Sequence, residues 1–176
     1  MLRKYYYLID HNGYLFLEST KHKNFTSRFK AVEFLNFFYD RLKINPGFTT
    51  DERDSASAGI DFAERDAPGS YPYCSPCGKE MNYVKVEKAP VIFHTMDKDR
   101  LYFAGDRSLP FSPTLMRYNH EGLFYPLEEK ISKRVGLSHG LIRSTVAIQV
   151  FQKLLITESS FEWKGKVYEM MEYNGN

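Results

Sequence analysis

The residues most able to do chemistry lie together in the segment CSPCGKE, at positions 74–80. Cys74 and Cys77 have the spacing of a redox dithiol or of half a zinc site. A thioredoxin-type dithiol needs its first thiol at the start of a helix, whereas the flanking residues YPY and MNYVKV predict a strand and a turn. A zinc site needs four ligands, and the chain has no second cysteine pair. We therefore favour a tight turn at Pro76 and Gly78 with packed cysteines.

Polar residues near this turn define a candidate pocket for a small-molecule or redox enzyme. Its members are Cys77, Gly78, Lys79, Glu80, Asn82 and His94. A solvated rim is the favoured alternative for the polar residues, and a hydrogen-bonded core histidine is favoured for His94. The chain carries no HExxH, GxSxG, Walker or GxGxxG motif. We therefore assign no catalytic, cofactor-binding or metal-ligating residue and expect no cofactor.

The charge balance argues against nucleic acid as the partner. The chain has 24 Lys and Arg against 22 Asp and Glu, a net charge of +2. Nucleic-acid binders usually need a basic excess, because phosphate neutralisation supplies most of their affinity. An RNA-binding accessory factor stays an alternative if Lys21, Lys23, Arg28 and Lys30 form a basic stripe. The 13 Tyr and 14 Phe predict a core built largely from aromatic rings.

The residue pattern predicts a single α+β domain over residues 1–176, rich in antiparallel strands. Residues 5–9 and 14–18 predict an N-terminal hairpin around Asn12-Gly13, with a type I′ turn that needs positive φ at both residues. Residues 31–42 have helical spacing and predict the first of two main helices. Asn45-Pro46-Gly47 ends that helix.

The rest of the chain predicts short strands, a second helix and a C-terminal hairpin. The short strands are expected at 24–29, 71–74, 82–86, 91–95 and 101–103, with a charged turn at 97–100. The second main helix is predicted over 141–155, with Ser138 as its N-cap. Residues 161–170 predict the C-terminal hairpin, which turns at Lys164-Gly165. Prolines at 110, 113 and 126 argue against helices and central strands between them.

Residues 47–70 differ in character from the rest of the chain. They are rich in Asp, Ser, Ala and Gly and show little periodicity, which predicts a long acidic loop or insertion. A loop of this length in a compact domain is usually functional or mobile. Its large apolar residues, Phe48, Ile60 and Phe62, are candidate anchors of a protein–protein interface, and its acidic side chains would steer it towards a basic partner surface.

The order of these segments resembles a known family, uncharacterised protein family 0598, also called domain of unknown function 4505. The segments that carry the resemblance are YYYLIDHNGYLFLE at 5–18, KNFTSRF at 23–29, FLNFFYDRL at 34–42, SPCGKEMNYV at 75–84, APVIF at 89–93 and GLIRSTVAIQVF at 140–151. The likeness covers nearly the whole chain outside 47–70. A more distant likeness is to a bacterial family, domain of unknown function 1285, through Y-x-x-x-(S/T)-P before a hairpin that ends in E-x-A-P.

The resemblance implies a mitochondrial location on the matrix side, because the animal members are similar to mitochondrial proteins; a cytoplasmic location is the alternative. The sequence shows no obvious leader and no run of about 20 apolar residues that could span a bilayer. Catalytic motifs are absent and aromatic residues are abundant. We therefore predict a non-catalytic protein-binding or assembly module, an accessory subunit of a larger mitochondrial complex, with other proteins as its partners.

Overall fold

The computed structural model describes residues 2–48, 68–151, 155–157 and 159–175 of the chain. Within these ranges it contains sixteen β-strands and three α-helices. The strands are β1 (Arg3–Ile9), β2 (Leu15–Leu17), β3 (Lys43–Ile44), β4 (Tyr73–Cys77), β5 (Glu80–Val86), β6 (Ile92–Phe93), β7 (Thr95–Asp97), β8 (Arg100–Phe103), β9 (Arg107–Pro110), β10 (Arg117–Asn119), β11 (Gly122–Pro126), β12 (His139–Ile142), β13 (Leu155–Thr157), β14 (Ser160–Trp163), β15 (Lys166–Glu169) and β16 (Met171–Glu172). The helices are α1 (Val32–Asp40), α2 (Glu129–Val135) and α3 (Ser144–Phe151).

Two five-stranded sheets and two three-stranded sheets make up the described β-structure. The five-stranded sheets have the orders β2-β1-β5-β4-β3 and β16-β10-β11-β12-β6, and the smaller ones are β7-β8-β9 and β13-β14-β15. Most neighbouring strands are antiparallel; β1–β5, β10–β16 and β6–β12 are parallel. The predicted α+β class with mostly antiparallel strands is therefore confirmed. Among the described helices, none is long and apolar enough to cross a bilayer.

The core is aromatic, as the composition predicted. Tyr7, Phe38, Phe93 and Tyr125 belong to one cluster of buried side chains that draws on strands and helices along most of the chain. Phe93 meets the ring of Tyr125 edge-on at a centroid distance of 6.0 Å, and Tyr7 meets that of Phe38 at 5.1 Å. Edge-to-face pairs of this kind add about 0.5–1.5 kcal/mol to the stabilisation that comes from burial.

The N-terminal hairpin forms as predicted, but its turn is of another type. The Asp10 N–H donates to the Tyr14 carbonyl and the Gly13 N–H donates to the Asp10 carbonyl, so the loop contains three residues. Gly13 has a φ of 81°, whereas Asn12 is outside the left-handed region. The Asp10 carboxylate accepts from the N–H groups of Asn12 and Tyr14, which favours this longer loop over a type I′ turn.

Type I′ turns occur instead in two later hairpins. Lys98 and Asp99 both have positive φ between β7 and β8, at the predicted charged turn. Lys164 and Gly165 also both have positive φ, between β14 and β15 in the C-terminal hairpin that the sequence predicted. The two-residue loop with positive φ at both positions is what the right-handed twist of paired strands selects.

The helices differ from the prediction in number and in extent. Helix α1 agrees with its prediction, but the second predicted helix is shorter, because residues 139–142 form β12 and α3 begins only at Ser144. Ser138 therefore precedes a strand and is not an N-cap. Helix α2 was not predicted; it ends at Gly136, whose φ of 73° allows a left-handed C-cap. Residues 24–29 form turns, not the strand that was expected.

Candidate functional site

A cavity of about 270 Å³ opens beside the turn of the N-terminal hairpin. We call it the arginine pocket. Its lining comes from the hairpin, the following segment, the start of α1, the end of β6 and the residue after β12. The lining residues are Gly13, Tyr14, Leu15, Phe25, Arg28, Phe29, Lys30, Val32, Leu35, Tyr39, His94, Thr95, Ala104, Gly105 and Arg143.

Two arginines in this pocket share one aromatic ring. The guanidinium carbons of Arg28 and Arg143 each lie 4.9 Å from the ring centroid of Tyr14. Arg143 also donates from Nη2 to the Tyr14 hydroxyl at 2.7 Å. Cation–π contacts of this kind contribute about 0.5–2 kcal/mol, more where water is excluded. They place two positive charges against one ring, an arrangement that repulsion between like charges opposes.

The Nε atoms of both arginines are buried and lack a hydrogen-bond acceptor among the described residues. A buried donor without a partner costs roughly 1–3 kcal/mol, and more when the group is charged. Native proteins rarely tolerate such donors unless a ligand or ordered water satisfies them. These two donors, on two arginines of one pocket, are groups that a bound anion could satisfy.

Strand pairing explains how Arg143 and His94 reach the same pocket. Strands β6 and β12 are parallel, with Phe93 beside Ile142. Each strand is followed at once by its pocket residue, and the Arg143 N–H donates to the Phe93 carbonyl at 2.9 Å. The carboxyl ends of parallel strands lie at the same edge of a sheet, so the two side chains meet there.

The turn that precedes Arg28 positions its side chain in the pocket. The Asn24 side-chain carbonyl accepts from the N–H groups of Thr26 and Ser27, which folds the segment back on itself. The Phe29 N–H then donates to the Leu15 carbonyl and fixes the segment against β2. Arg28 lies between these two anchor points, and its guanidinium also covers the ring of Phe25 at 4.3 Å.

The charges of the pocket are all positive. Arg28, Lys30 and Arg143 line it, and none of the lining residues that the structure describes carries a carboxylate. The nearby carboxylate of Asp10 accepts two backbone N–H groups of its own hairpin. The start of α1 at Val32 adds the positive end of a helix dipole, since no side chain caps it. The local field therefore favours an anion.

His94 is neutral and fully hydrogen-bonded. Burial, together with the charges of Arg143 and Arg28, lowers its pKa below the ordinary value. Its Nε2 lies 2.9 Å from the Ala104 carbonyl, which can only accept, so the proton is on Nε2. Nδ1 then accepts from the Thr95 hydroxyl at 2.8 Å. With both ring nitrogens in use, His94 supports the pocket wall and has no free nitrogen for proton transfer.

The other residues of the sequence-based pocket lie at the far end of the first sheet. Gly78 and Lys79 form a two-residue turn between β4 and β5, with Gly78 at a φ of 63°. Glu80 forms an ion pair with Arg3 at 2.9 Å. His94 lies near Gly13, beyond the opposite end of β1. The structure therefore does not bring His94 together with the CSPCGKE turn.

The two cysteines lie in one strand and cannot act as a pair. Cys74 and Cys77 occupy the first and second halves of β4, and side chains three residues apart on a strand point to opposite faces. Their Cα atoms are roughly 10 Å apart along an extended strand, whereas a disulfide needs less than about 7 Å. Burial raises the pKa of the Cys74 thiol. This geometry argues against the dithiol interpretation. The favoured interpretation is right only in part, because Cys74 is buried but Cys77 is only partly buried, and the turn lies at Gly78-Lys79 while Pro76 is paired within β4.

Asn82 lies in the interior of the first sheet. It is only 3% exposed, and its Nδ2 donates to the Ser75 carbonyl at 3.0 Å. The Ser75 hydroxyl donates in turn to the Phe38 carbonyl at 2.7 Å, which ties β4 to α1. Burial, with the charges of Glu80, Cys77 and Tyr5, raises the pKa of the adjacent Tyr7 to about 12. These contacts give Asn82 a structural role, while its Oδ1 is buried without a donor among the described residues.

Phe48, a predicted interface residue, is separate from the arginine pocket, whereas Arg28 and Lys30 of the predicted basic stripe line it. Phe48 is 37% exposed, and its N–H donates to the Asn45 carbonyl. Ile60 and Phe62 lie outside the described residues. In the basic segment, the ammonium groups of Lys23 and Lys30 donate to backbone carbonyls, and Arg28 turns into the pocket. Arg28 is therefore not part of an exposed stripe, whereas Lys21, Lys23 and Lys30 are exposed.

A family model described as Domain of unknown function (DUF4505) matches residues 1–174. The chain belongs to this family. A solved structure of a DUF1285 family protein from Silicibacter pomeroyi DSS-3 is similar to this DUF4505 chain, with a TM-score of 0.45 and 11% sequence identity. The similarity covers 98% of this chain and 84% of that one. Both families are the ones that the sequence resembles.

In the described part of the DUF4505 chain, no three His, Cys, Asp or Glu side chains come together as metal ligands would. The arginine pocket itself was not predicted from the sequence. The available signal was weak: Arg28 follows an Asn-x-Thr-Ser turn, and Arg143 ends an apolar run. Only the fold shows that the two arginines meet on Tyr14.

Proposed function

We propose that this DUF4505 chain is a non-catalytic binding module that recognises an anionic group in the arginine pocket. The observation that carries the proposal is the pair of buried Nε–H donors on Arg28 and Arg143, which have no acceptor among the described residues. Supporting it are the absence of carboxylates from the described lining and the contact of both cations with Tyr14. An anion would satisfy the donors and relieve the repulsion between the guanidinium groups.

The geometry gives less support to an enzyme. His94 has both ring nitrogens in hydrogen bonds, so no free general base lines the pocket on this side. Cys77, the remaining candidate nucleophile, lies at the other end of β1. A binding role requires only the donors that are already in place.

We expect the anion to be presented within an assembly, in keeping with an accessory subunit of a larger mitochondrial complex on the matrix side. The mitochondrial location and the partner rest on the family resemblance alone. The pocket adds a concrete expectation: the partner, or a ligand that the two share, offers a phosphate, sulfate or carboxylate group.

Thermal unfolding of the full chain in different salts tests the proposal. At matched ionic strength, at least one oxyanion among phosphate, sulfate and citrate should raise the unfolding temperature above its value in chloride, because ligands that bind only the folded state stabilise it. Arg28→Gln and Arg143→Gln should lose this gain. Arg3→Gln is the matched control, since Arg3 is exposed, lies outside the pocket and loses the same charge. Equal gains in all four proteins, or none in the wild type, would contradict the proposal.

Affinity purification from the native organism tests the assembly. We expect the wild type and Arg3→Gln to retain the same stoichiometric partners, and Arg28→Gln to lose at least one of them. Unchanged partners for Arg28→Gln would show that the assembly does not use the pocket.

A further inference from the structure

We infer that the ligand of the arginine pocket is a phosphate monoester whose organic part is flat and apolar, an aryl phosphate in its simplest form. The inference rests on the proposed function and specifies its ligand. It starts from charge: Arg28, Lys30 and Arg143 line the pocket, and no carboxylate among the described lining residues offsets them. A phosphate monoester carries about −1.5 to −2 charges at pH 7, so it matches this field better than a carboxylate with a single charge.

The number and direction of the donors give the second argument. Each guanidinium offers a rigid fork of N–H groups, and the Nε–H of Arg28 and of Arg143 is buried without an acceptor. A carboxylate has two oxygens and is typically held by one fork. A phosphate monoester has three terminal oxygens, which can accept from two forks at once. Both forks contact Tyr14 and line the same cavity.

The rim of the pocket supplies the third argument. Phe25 is 62% exposed although it is a large apolar side chain. It meets the Tyr14 ring edge-on at a centroid distance of 6.3 Å, and Arg28 covers one of its faces at 4.3 Å. An exposed ring directly beside the anion donors offers a stacking surface to a flat group attached to the phosphate.

The size of the cavity limits the ligand. About 270 Å³ is at or just below the lower end of the usual range for small-molecule pockets, roughly 300–1,000 Å³. A phosphate and one ring suit such a volume, whereas a dinucleotide does not. Either a free small molecule or a phosphorylated tyrosine side chain of a protein carries this chemistry.

Calorimetric titration of the full chain tests the inference with four probes: phenyl phosphate, methyl phosphate, inorganic phosphate and phenylacetate. We expect phenyl phosphate to bind tightest. It should bind about tenfold more tightly than methyl phosphate, which corresponds to the stacking contribution of one aromatic pair. Phenylacetate, which keeps the ring and carries one charge, should bind at least about tenfold more weakly than phenyl phosphate, as expected for the loss of a charge-assisted hydrogen bond.

Variants test the contributions of the ring and of the phosphate separately. Phe25→Ala should abolish the preference for phenyl over methyl phosphate, beyond any loss that both ligands share because the ring also contacts Arg28. Arg28→Lys and Arg143→Lys keep the charge but lose the fork, so they should weaken both phosphates about equally. Arg3→Gln should behave as the wild type. The unfolding temperature of each variant checks that it is folded.

Four outcomes are informative. Phenylacetate binding as tightly as phenyl phosphate overturns the inference and leaves the proposed function intact, because an anion is still bound by the arginines. No binding of any probe overturns both. If phenyl phosphate binds best and a phosphotyrosyl peptide binds about tenfold more tightly still, the inference holds with a protein as the source. If the peptide binds no better than phenyl phosphate, the inference holds with a free small molecule as the source.

Discussion

Gly105 packs directly against the carbonyl oxygen of Val32, the first residue of α1. A β-carbon at Gly105 would overlap that oxygen and would also stand 2.8 Å from the side-chain carbonyl of Asn36. Asn36 uses the same oxygen to accept from the N–H groups of Gly105 and Asp106. The loop between β8 and β9 is thus fixed on α1, and both parts line the arginine pocket.

Gly105→Ala should therefore destabilise the protein by about 1–3 kcal/mol, the usual cost of overpacking, because the new methyl group meets backbone atoms that cannot turn away. Chemical unfolding measures the loss. Gly47→Ala is the control, since among the described residues a β-carbon at Gly47 would meet one atom within 4 Å, at 3.6 Å. Equal free energies of unfolding for the two variants would contradict the close approach of Gly105 to α1.

Gly13 has a left-handed backbone conformation, which only glycine adopts without strain, and a close neighbour. Its φ is 81°, and a β-carbon there would stand 3.0 Å from the Cβ of Ile92. We expect Gly13→Val to cost about 1–3 kcal/mol for the backbone conformation, with a further loss from the clash. Gly165→Val separates the two effects, because Gly165 has a φ of 78° and a β-carbon there would meet no atom of the described residues within 4 Å. The unfolding free energy of Gly13→Val should fall further than that of Gly165→Val; an equal fall would rule out the steric part.

Local sequence patterns predicted those elements whose causes are local. The N-terminal hairpin, α1 and the C-terminal hairpin all follow from residue periodicity and nearby turn residues. The type of the first turn did not, because the Asp10 carboxylate binds two backbone N–H groups and stabilises a longer loop. Helix α2 was missed although Glu129 and Lys133 form an i,i+4 ion pair at 2.9 Å, a signal that the sequence contained.

The candidate site could not be predicted, because long-range pairing creates it. Arg143 reaches the pocket only since β12 pairs in parallel with β6, and no spacing in the sequence records that pairing. The sequence suggested that Arg28 belongs to a surface stripe, whereas its guanidinium packs on the rings of Tyr14 and Phe25. The CSPCGKE segment attracted attention through its residue types, but β4 places its two thiols on opposite faces.

The cysteine geometry predicts thiols that do not pair. Under a mild oxidant, the native protein should form no intramolecular disulfide, because Cys74 and Cys77 are too far apart along β4. Cys74 should also alkylate slowly at neutral pH and quickly after unfolding, since it is buried and burial raises its pKa. Mass spectrometry on Cys74→Ser and Cys77→Ser assigns each reaction. Rapid oxidation of the native protein to an intramolecular disulfide would restore the dithiol hypothesis.

The stability of the protein should depend on pH through His94, which lines the arginine pocket. The pKa of His94 is lowered in the folded protein by burial and by the charges of Arg143 and Arg28. Between this lowered pKa and the ordinary value near 6.5, the unfolded chain binds a proton that the folded chain does not. Stability should therefore decrease as pH falls below about 6.5, with a slope of at most about 1.4 kcal/mol per pH unit for one proton. His139 adds to the decrease with the same sign, because burial and Arg117 lower its pKa.

Chemical unfolding between pH 7.5 and pH 5.5, values chosen to span the ordinary histidine pKa of about 6.5, measures this slope. His94→Gln should reduce it, whereas His120→Gln should not, since the His120 side chain is 89% exposed. The groups that face His94 are the guanidinium groups of Arg28 and Arg143, the Thr95 hydroxyl and the Ala104 carbonyl. The two guanidinium charges disfavour protonation of His94, and an anion bound by the arginines would offset them. Saturating sulfate, whose charge does not change between these pH values, should therefore flatten the slope of the wild type and leave that of His94→Gln nearly unchanged. A slope that is identical in the wild type and in His94→Gln would show that His94 does not titrate in this range.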